Sequence, residues 1–235
     1  MFEWLRKKEP QPDISAGGSV IHRYSNSEWA STLVGSSGES AIRFGKAREE
    51  VYTRLFGEVH RVFHEVFPLI PHIDVMEYHL NGQNGRVCTL VTSGMSNLAM
   101  NVPKKTAAPR RVELIFYCSE SKQEYADTMR WLAHFPHDQK TWIGSCHTIP
   151  NGNPPTPLWG TAMDTILLLP PIVRKDQNLC DELILDGDGV EFLWVVPLTT
   201  AECNLKLAKG TSAVLELLDQ NRHSYVFDPN RASYV

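Results

Sequence analysis

Arg86-Val-Cys-Thr-Leu-Val91 runs directly into Thr92-Ser93-Gly94-Met95-Ser96, and the reading of this stretch decides the fold. The run 86–92 is rich in β-branched and apolar residues, as a strand requires. Ahead of it lie Asp74-Val-Met-Glu-Tyr-His-Leu80 and the turn Asn81-Gly-Gln-Asn-Gly85. Two strands, at about 73–80 and 86–92, are therefore joined as a hairpin. Gly94 permits a sharp exit from the second strand, and a positive φ or a tightly packed backbone is expected there. The hydroxyls of Ser93 and Ser96 are placed to satisfy backbone groups in that exit turn.

Upstream, Val51, Leu55, Val59, Val62 and Val66 recur at steps of four and three. That spacing predicts a helix from Glu39 to Phe67, ended by Pro68. Residues 1–37 are rich in Gly, Ser, Pro and charge and read as a partly ordered arm; Trp4, Trp29 and Leu33 are candidates to dock it on the body at 38–235. Downstream, Val112 to Cys118 is apolar enough for a central strand. Ser119 or Ser121 is then placed to cap a helix, with Glu124 completing a capping box from Ser121. An irregular stretch at 136–160 holds five of the fifteen prolines. Strands follow at about 163–169 and 190–196, the second opened by Asp186-Gly-Asp-Gly189. Two short helices, Thr200–Ala208 and Ser212–Leu218, are split by Gly210, and the tail from His223 is extended.

The bulk properties exclude several classes. With 235 residues, 42% hydrophobic and 21% charged, the chain is large enough to bury a core as one domain. A net charge of −4 and a pI near 6.1 offer no basic face for nucleic acid. Five cysteines without close pairing suit reduced thiols in a cytoplasm. The start, Met1-Phe-Glu-Trp-Leu-Arg-Lys-Lys-Glu-Pro10, carries charge where a signal peptide needs an apolar core. Ile166-Leu-Leu-Leu-Pro-Pro171 is too short to span a membrane.

Catalytic templates fail on spacing. A nucleophile elbow needs Gly-x-Ser-x-Gly, and neither Ser93 nor Ser96 is flanked by two glycines. His134, His137 and Cys146-His147 are the densest metal-type donors, but there is no Cys-x-x-Cys, and Pro136 argues against one helical face for the two histidines. No metal or other cofactor is expected. Counting from Asp186, a calcium loop would place its glycine and glutamate at Glu191 and Pro197, so Asp181, Glu182, Asp186 and Asp188 read as a solvated turn. There is no glycine-rich phosphate loop.

The order of these blocks, with Val112-Glu-Leu-Ile-Phe-Tyr117, Trp131-Leu-Ala-His-Phe-Pro136, Phe192-Leu-Trp-Val-Val-Pro-Leu-Thr199 and Glu202, resembles the suppressor of fused family from about Phe63 onward. Acidic residues of the family's pattern are matched by Glu113 and Glu202, and its tail pair by Asp228-x-x-Arg231. These four residues are either architectural or part of a polar patch for a partner at the sheet's end. Thr92-Ser93-Gly94-Met95-Ser96 is the family-signature turn.

In animals the family binds Gli transcription factors, clamping an extended segment between two domains; this chain resembles the first of them, and its length leaves no room for the second. Stand-alone bacterial members have been proposed as immunity proteins that neutralise toxins. The family has no established catalytic residues. Both lines lead to an α+β fold, a mixed sheet of five or more strands with helices packed against it. The expected function is a non-catalytic protein-binding module, with a hydrolase or metal-dependent enzyme as the competing reading. The expected partner is another protein whose identity the sequence does not give, a basic toxin met by the acidic turn at 181–188 being one candidate; nucleic acid and membrane are not expected.

Overall fold

The computed structural model describes residues 13–24, 38–67, 69–82, 85–173, 176 and 181–235. The hairpin is its spine. β4 (Asp74–Gly82) and β5 (Gly85–Ser93) pair along their whole length, from Asp74↔Ser93 to Gly82↔Gly85. β3 (Arg61–Phe63) flanks β4, and β6 (Arg111–Cys118) flanks β5. Beyond β6 come β10 (Asp188–Leu198), β8 (Thr165–Leu169) and β7 (Thr148–Pro150). β9 (Ile184–Leu185) pairs with the start of β10. The order is β3-β4-β5-β6-β10-β8-β7, with β6–β10 the one parallel pair among these strands. A separate ribbon pairs β1 (Asp13–Ile14) with β2 (Val20–Ile21).

Alternation along the central strands sends side chains to two cores. Val112, Leu114, Phe116, Leu193, Val195, Ile166 and Leu168 pack under α2 (Gln123–Asp138), through its Tyr125, Met129 and Leu132. Ile115, Tyr117, Phe192, Trp194, Val196, Leu167 and Leu169 face the other way. They meet α1 (Glu39–Phe56) through Phe44, Val51, Tyr52 and Leu55, and α4 (Thr211–Gln220) through Val214 and Leu218. The middle strands are thus covered on both faces. That is why they read as continuous apolar runs rather than as alternating ones.

Several expectations need correction. α1 stops at Phe56 because Gly57 adopts φ +84, a conformation that favours glycine. Arg61–Phe63 is a strand instead, and Val59 and Val66 are exposed at 46% and 88%. Pro68, the expected stop, lies outside the described residues. α2 has no side-chain cap; Ser121 Oγ donates to Glu77 Oε2 at 2.8 Å instead. α2 also runs through Pro136 and ends two residues later, where the missing donor costs the last turn little. α3 (Thr200–Lys209) does open on a capping box, from Thr199 and Glu202, a signal that the sequence carried without its being used.

Within the arm, the ribbon at 13–24 is docked, while Trp4, Trp29 and Leu33 lie outside the described residues. Gly17 N–H donates to the Leu207 carbonyl at 2.7 Å. A Cβ on Gly17 would lie 2.3 Å from Gly210 N and 2.6 Å from the Lys206 carbonyl oxygen. Contact this close between two backbones admits only glycine. Gly17→Ala is therefore expected to release the ribbon. Amide exchange within 13–24 should quicken by about tenfold or more while β6 amides keep their protection. Unchanged exchange in the ribbon would show that its docking does not depend on that approach.

Candidate functional site

Gly94 carries the chain out of β5 with φ +136, and a Cβ there would lie 1.9 Å from the His72 carbonyl oxygen. The turn that follows closes on the carboxylate of Glu113, which has no solvent exposure. Glu113 Oε1 accepts from Gly94 N at 3.0 Å, Ser96 N at 3.0 Å and Ser96 Oγ at 2.6 Å. Its Oε2 accepts from Thr92 Oγ1 at 2.6 Å. Arg48, buried in α1, lies 3.8 Å from Glu113 Oε1 and donates to Ser93 Oγ, Ser96 Oγ and Asn97 Oδ1. Arg111 donates to the Ser96 carbonyl at 2.7 Å. From α2, His137 Nε2 donates to the Met95 carbonyl at 3.0 Å. Burial holds the His137 pKa down, to about 4, against the pull of that carbonyl.

Chemically, this arrangement holds a turn. The groups touching Ser93 Oγ and Ser96 Oγ are Arg48 and Glu113. Arg48 is a permanent cation and cannot act as a base. Glu113 is committed to two backbone amides as well as two hydroxyls. Arg48 had a signal in the sequence: it is a charged residue on the apolar stripe formed by Phe44, Val51, Tyr52 and Leu55.

Glu202 anchors the other end of the sheet. It too is fully buried, and Arg231 grips it in bidentate fashion, at 2.6 Å to Oε1 and 2.9 Å to Oε2. The Thr199 and Tyr234 amides donate to the same carboxylate. Burial pushes its pKa up, but the donors from Arg231, Thr199 and Tyr234 outweigh burial and hold it below the ordinary value. Asp228 is exposed in a turn, accepting from Asn230 N at 2.9 Å, so Arg231 pairs with Glu202 rather than with Asp228. Glu113 registers with Phe192 near the start of β10, whereas Glu202 follows its end. The two carboxylates therefore make two separate anchors and not one polar patch.

The acidic turn also departs from expectation. Asp186 meets Arg43 at 2.5 Å, Glu182 meets Arg54, and Asp188 meets Arg110 and Arg111, both at 3.3 Å. Arginines of α1 and β6, with Arg110 just before β6, thus pair three of its four acids, Glu182, Asp186 and Asp188. Of the donors weighed and set aside for a metal, His134 Nε2 pairs with Glu65 Oε1 at 2.6 Å and His137 turns to Met95. His147 packs against Trp142 with its ring tilted 58° to the indole. Donor atoms of His60, Glu77 and His79, by contrast, all lie within 4.8 Å of one another.

Three substitutions separate these roles. Glu113→Gln should destabilise by about 3–5 kcal/mol in denaturant unfolding, because Arg48 is left as a buried charge. Ser93→Ala should cost about 1 kcal/mol or less. A Glu113→Gln protein as stable as the wild type would remove the carboxylate from this account. At the other anchor, a carboxyl held low in the folded state adds stability above its unfolded pKa and loses it as pH falls through the folded value. Glu202→Gln should therefore flatten the fall of stability below about pH 4.5. An unchanged acid limb would contradict that assignment.

Comparison with known proteins follows the fold. The family model for Suppressor of fused protein (SUFU) matches residues 70–232. A suppressor of fused homologue from Neisseria gonorrhoeae FA 1090 has a TM-score of 0.61 at 17% identity, covering 83% of this chain and 98% of that one. The Sufu-Fu complex structure gives 0.58 at 10% identity, covering 83% and 92%. Drosophila Suppressor of Fused gives 0.52 at 10% identity; 83% of this chain corresponds to 51% of that protein. Curated protein sequences give no match. Gly94, Glu113, Glu202 and Arg231 all fall inside the matched residues, and the chain belongs to the suppressor of fused family.

Proposed function

We propose that this chain is a non-catalytic protein-binding module that takes an extended segment of a partner protein along the β3 edge of its sheet. The observation that carries the proposal is the contrast between the two sheet edges. β7 ends in Pro150, which cannot donate to an added strand. β3 is bracketed by exposed apolar side chains: Val59 at 46%, Val66 at 88% and Phe67 at 72%. An edge strand supplies backbone groups to an incoming segment, and apolar neighbours anchor its side chains. The likeness to a chain of the Sufu-Fu complex supports a protein partner.

The finer reading is an immunity-type role, neutralising a toxin, or the sequestering of a regulator. A cytoplasmic setting accords with Cys88, Cys118, Cys146 and Cys203 being free thiols. No helix among the described residues is long and apolar enough to cross a membrane. The net charge of −4 still favours a basic partner.

Affinity capture from the native cell tests this reading. The wild type should retain a stoichiometric protein, and the Val66→Asp, Phe67→Asp double variant should lose it by about tenfold or more in affinity. Both residues are exposed, so folding should survive the change. Capture that ignores both substitutions would move the docking face elsewhere, and turnover of a substrate by the purified chain would replace the binding reading with an enzymatic one.

A further inference from the structure

We propose that His60, Glu77 and His79 form a binding site for a divalent zinc ion at the β3 edge. Sequence spacing concealed it. Glu77 and His79 sit two apart on β4 and so share a face, while His60 precedes β3 and reaches them only through strand pairing. His60 N–H donates to the Glu77 carbonyl at 2.8 Å, which locks the two segments side by side. The His60 and His79 rings then lie with centroids 3.8 Å apart, tilted 34° to one another.

Two imidazoles and one carboxylate make a donor set suited to zinc, with water completing four-coordination. Ligand atoms about 2.0–2.2 Å from a tetrahedral zinc lie about 3.3–3.6 Å apart. Closing the present spread of up to 4.8 Å takes a swing of the exposed His60, and the ion would replace the proton between Glu77 Oε1 and His79 Nε2, whose 2.5 Å separation opens to that range. The other two donors are already held. Glu77 is buried, and its Oε2 takes Ser121 Oγ at 2.8 Å and Arg61 Nε at 3.2 Å. Its Oε1 is thereby turned toward His79 Nε2, at 2.5 Å. Outer partners of this kind orient a ligating carboxylate. Cys88 registers opposite His79 on β5, and its Sγ lies 3.8 Å from the same Oε1, a further soft donor beside the site.

A second histidine-rich cluster nearby sets the contrast. His72 meets Glu65 through Nδ1 and Asp74 through Nε2, so its two nitrogens point at different acids instead of joining them at one centre. His64 meets Asp74 from the solvent side. His60 lies ahead of the residues that the family model matches. A bound ion there would tie the entry of the edge strand to β4. The inference does not rest on the binding role proposed above.

Metal-free protein titrated with zinc chloride tests it. The wild type should take up one equivalent with a dissociation constant on the order of 10 μM or tighter. Cobalt(II) in its place should give the visible absorption of a four-coordinate site. His60→Ala and His79→Ala should each weaken uptake by about tenfold or more, whereas His64→Ala should bind as the wild type does. His60 is exposed, so its variant should fold; far-ultraviolet circular dichroism checks this, and Glu77→Gln adds a variant of conserved volume. No zinc uptake by the wild type, equal uptake by His60→Ala, or loss in His64→Ala would each overturn the site.

Discussion

Glu113 has no contact with solvent, yet it takes hydrogen bonds from Gly94, Ser96 and Thr92 while Arg48 stands beside it. A lone carboxylate in such a place would be very costly to bury, so its partners must all arrive together. They come from β5, the exit turn and α1, with Arg111 of β6 and His137 of α2 holding the turn's carbonyls. The end of the hairpin, the helix on one face and the helix on the other are thus positioned by one cluster. Hydrophobic burial stabilises both cores, but the transfer of apolar surface from water is by itself non-directional. The carboxylate's bonding is directional, and each misplaced donor leaves an unsatisfied polar group.

Glu202 does the same work at the far end. Its grip on Arg231 draws the tail across the end of β10, and Phe227 N–H then donates to the Tyr117 carbonyl beside β6. Among the described residues, α2 lies over one face of the sheet and α1 and α4 over the other. The acidic turn looked unpaired in sequence, yet α1 presents Arg43 to its Asp186 and Arg54 to its Glu182. Charge counted along a chain says nothing about which opposite charge the fold brings alongside.

What could be read and what could not divides along the range of the interaction. The hairpin, the central strand after Arg111 and the two short helices split by Gly210 rest on local propensity and turn chemistry, and they lie within a residue or two of where the sequence places them. The end of α1 was misread because the apolar spacing continues past Gly57 into β3, where Val62 serves a strand. Ser121 is a sound capping residue that Glu77, forty-four positions away, takes for itself.

By itself, then, the sequence determined the class of fold, the hairpin and its glycine exit, and the kinship, because each depends on neighbours along the chain or on the order of blocks. Only the tertiary structure decided that Glu113 and Glu202 are separate buried anchors, that Arg231 belongs to Glu202 and not to Asp228, and that His60 meets Glu77 and His79. Those pairings join residues far apart in number. Which distant donor reaches a given carboxylate is settled by strand register and helix placement, and neither is written in local spacing.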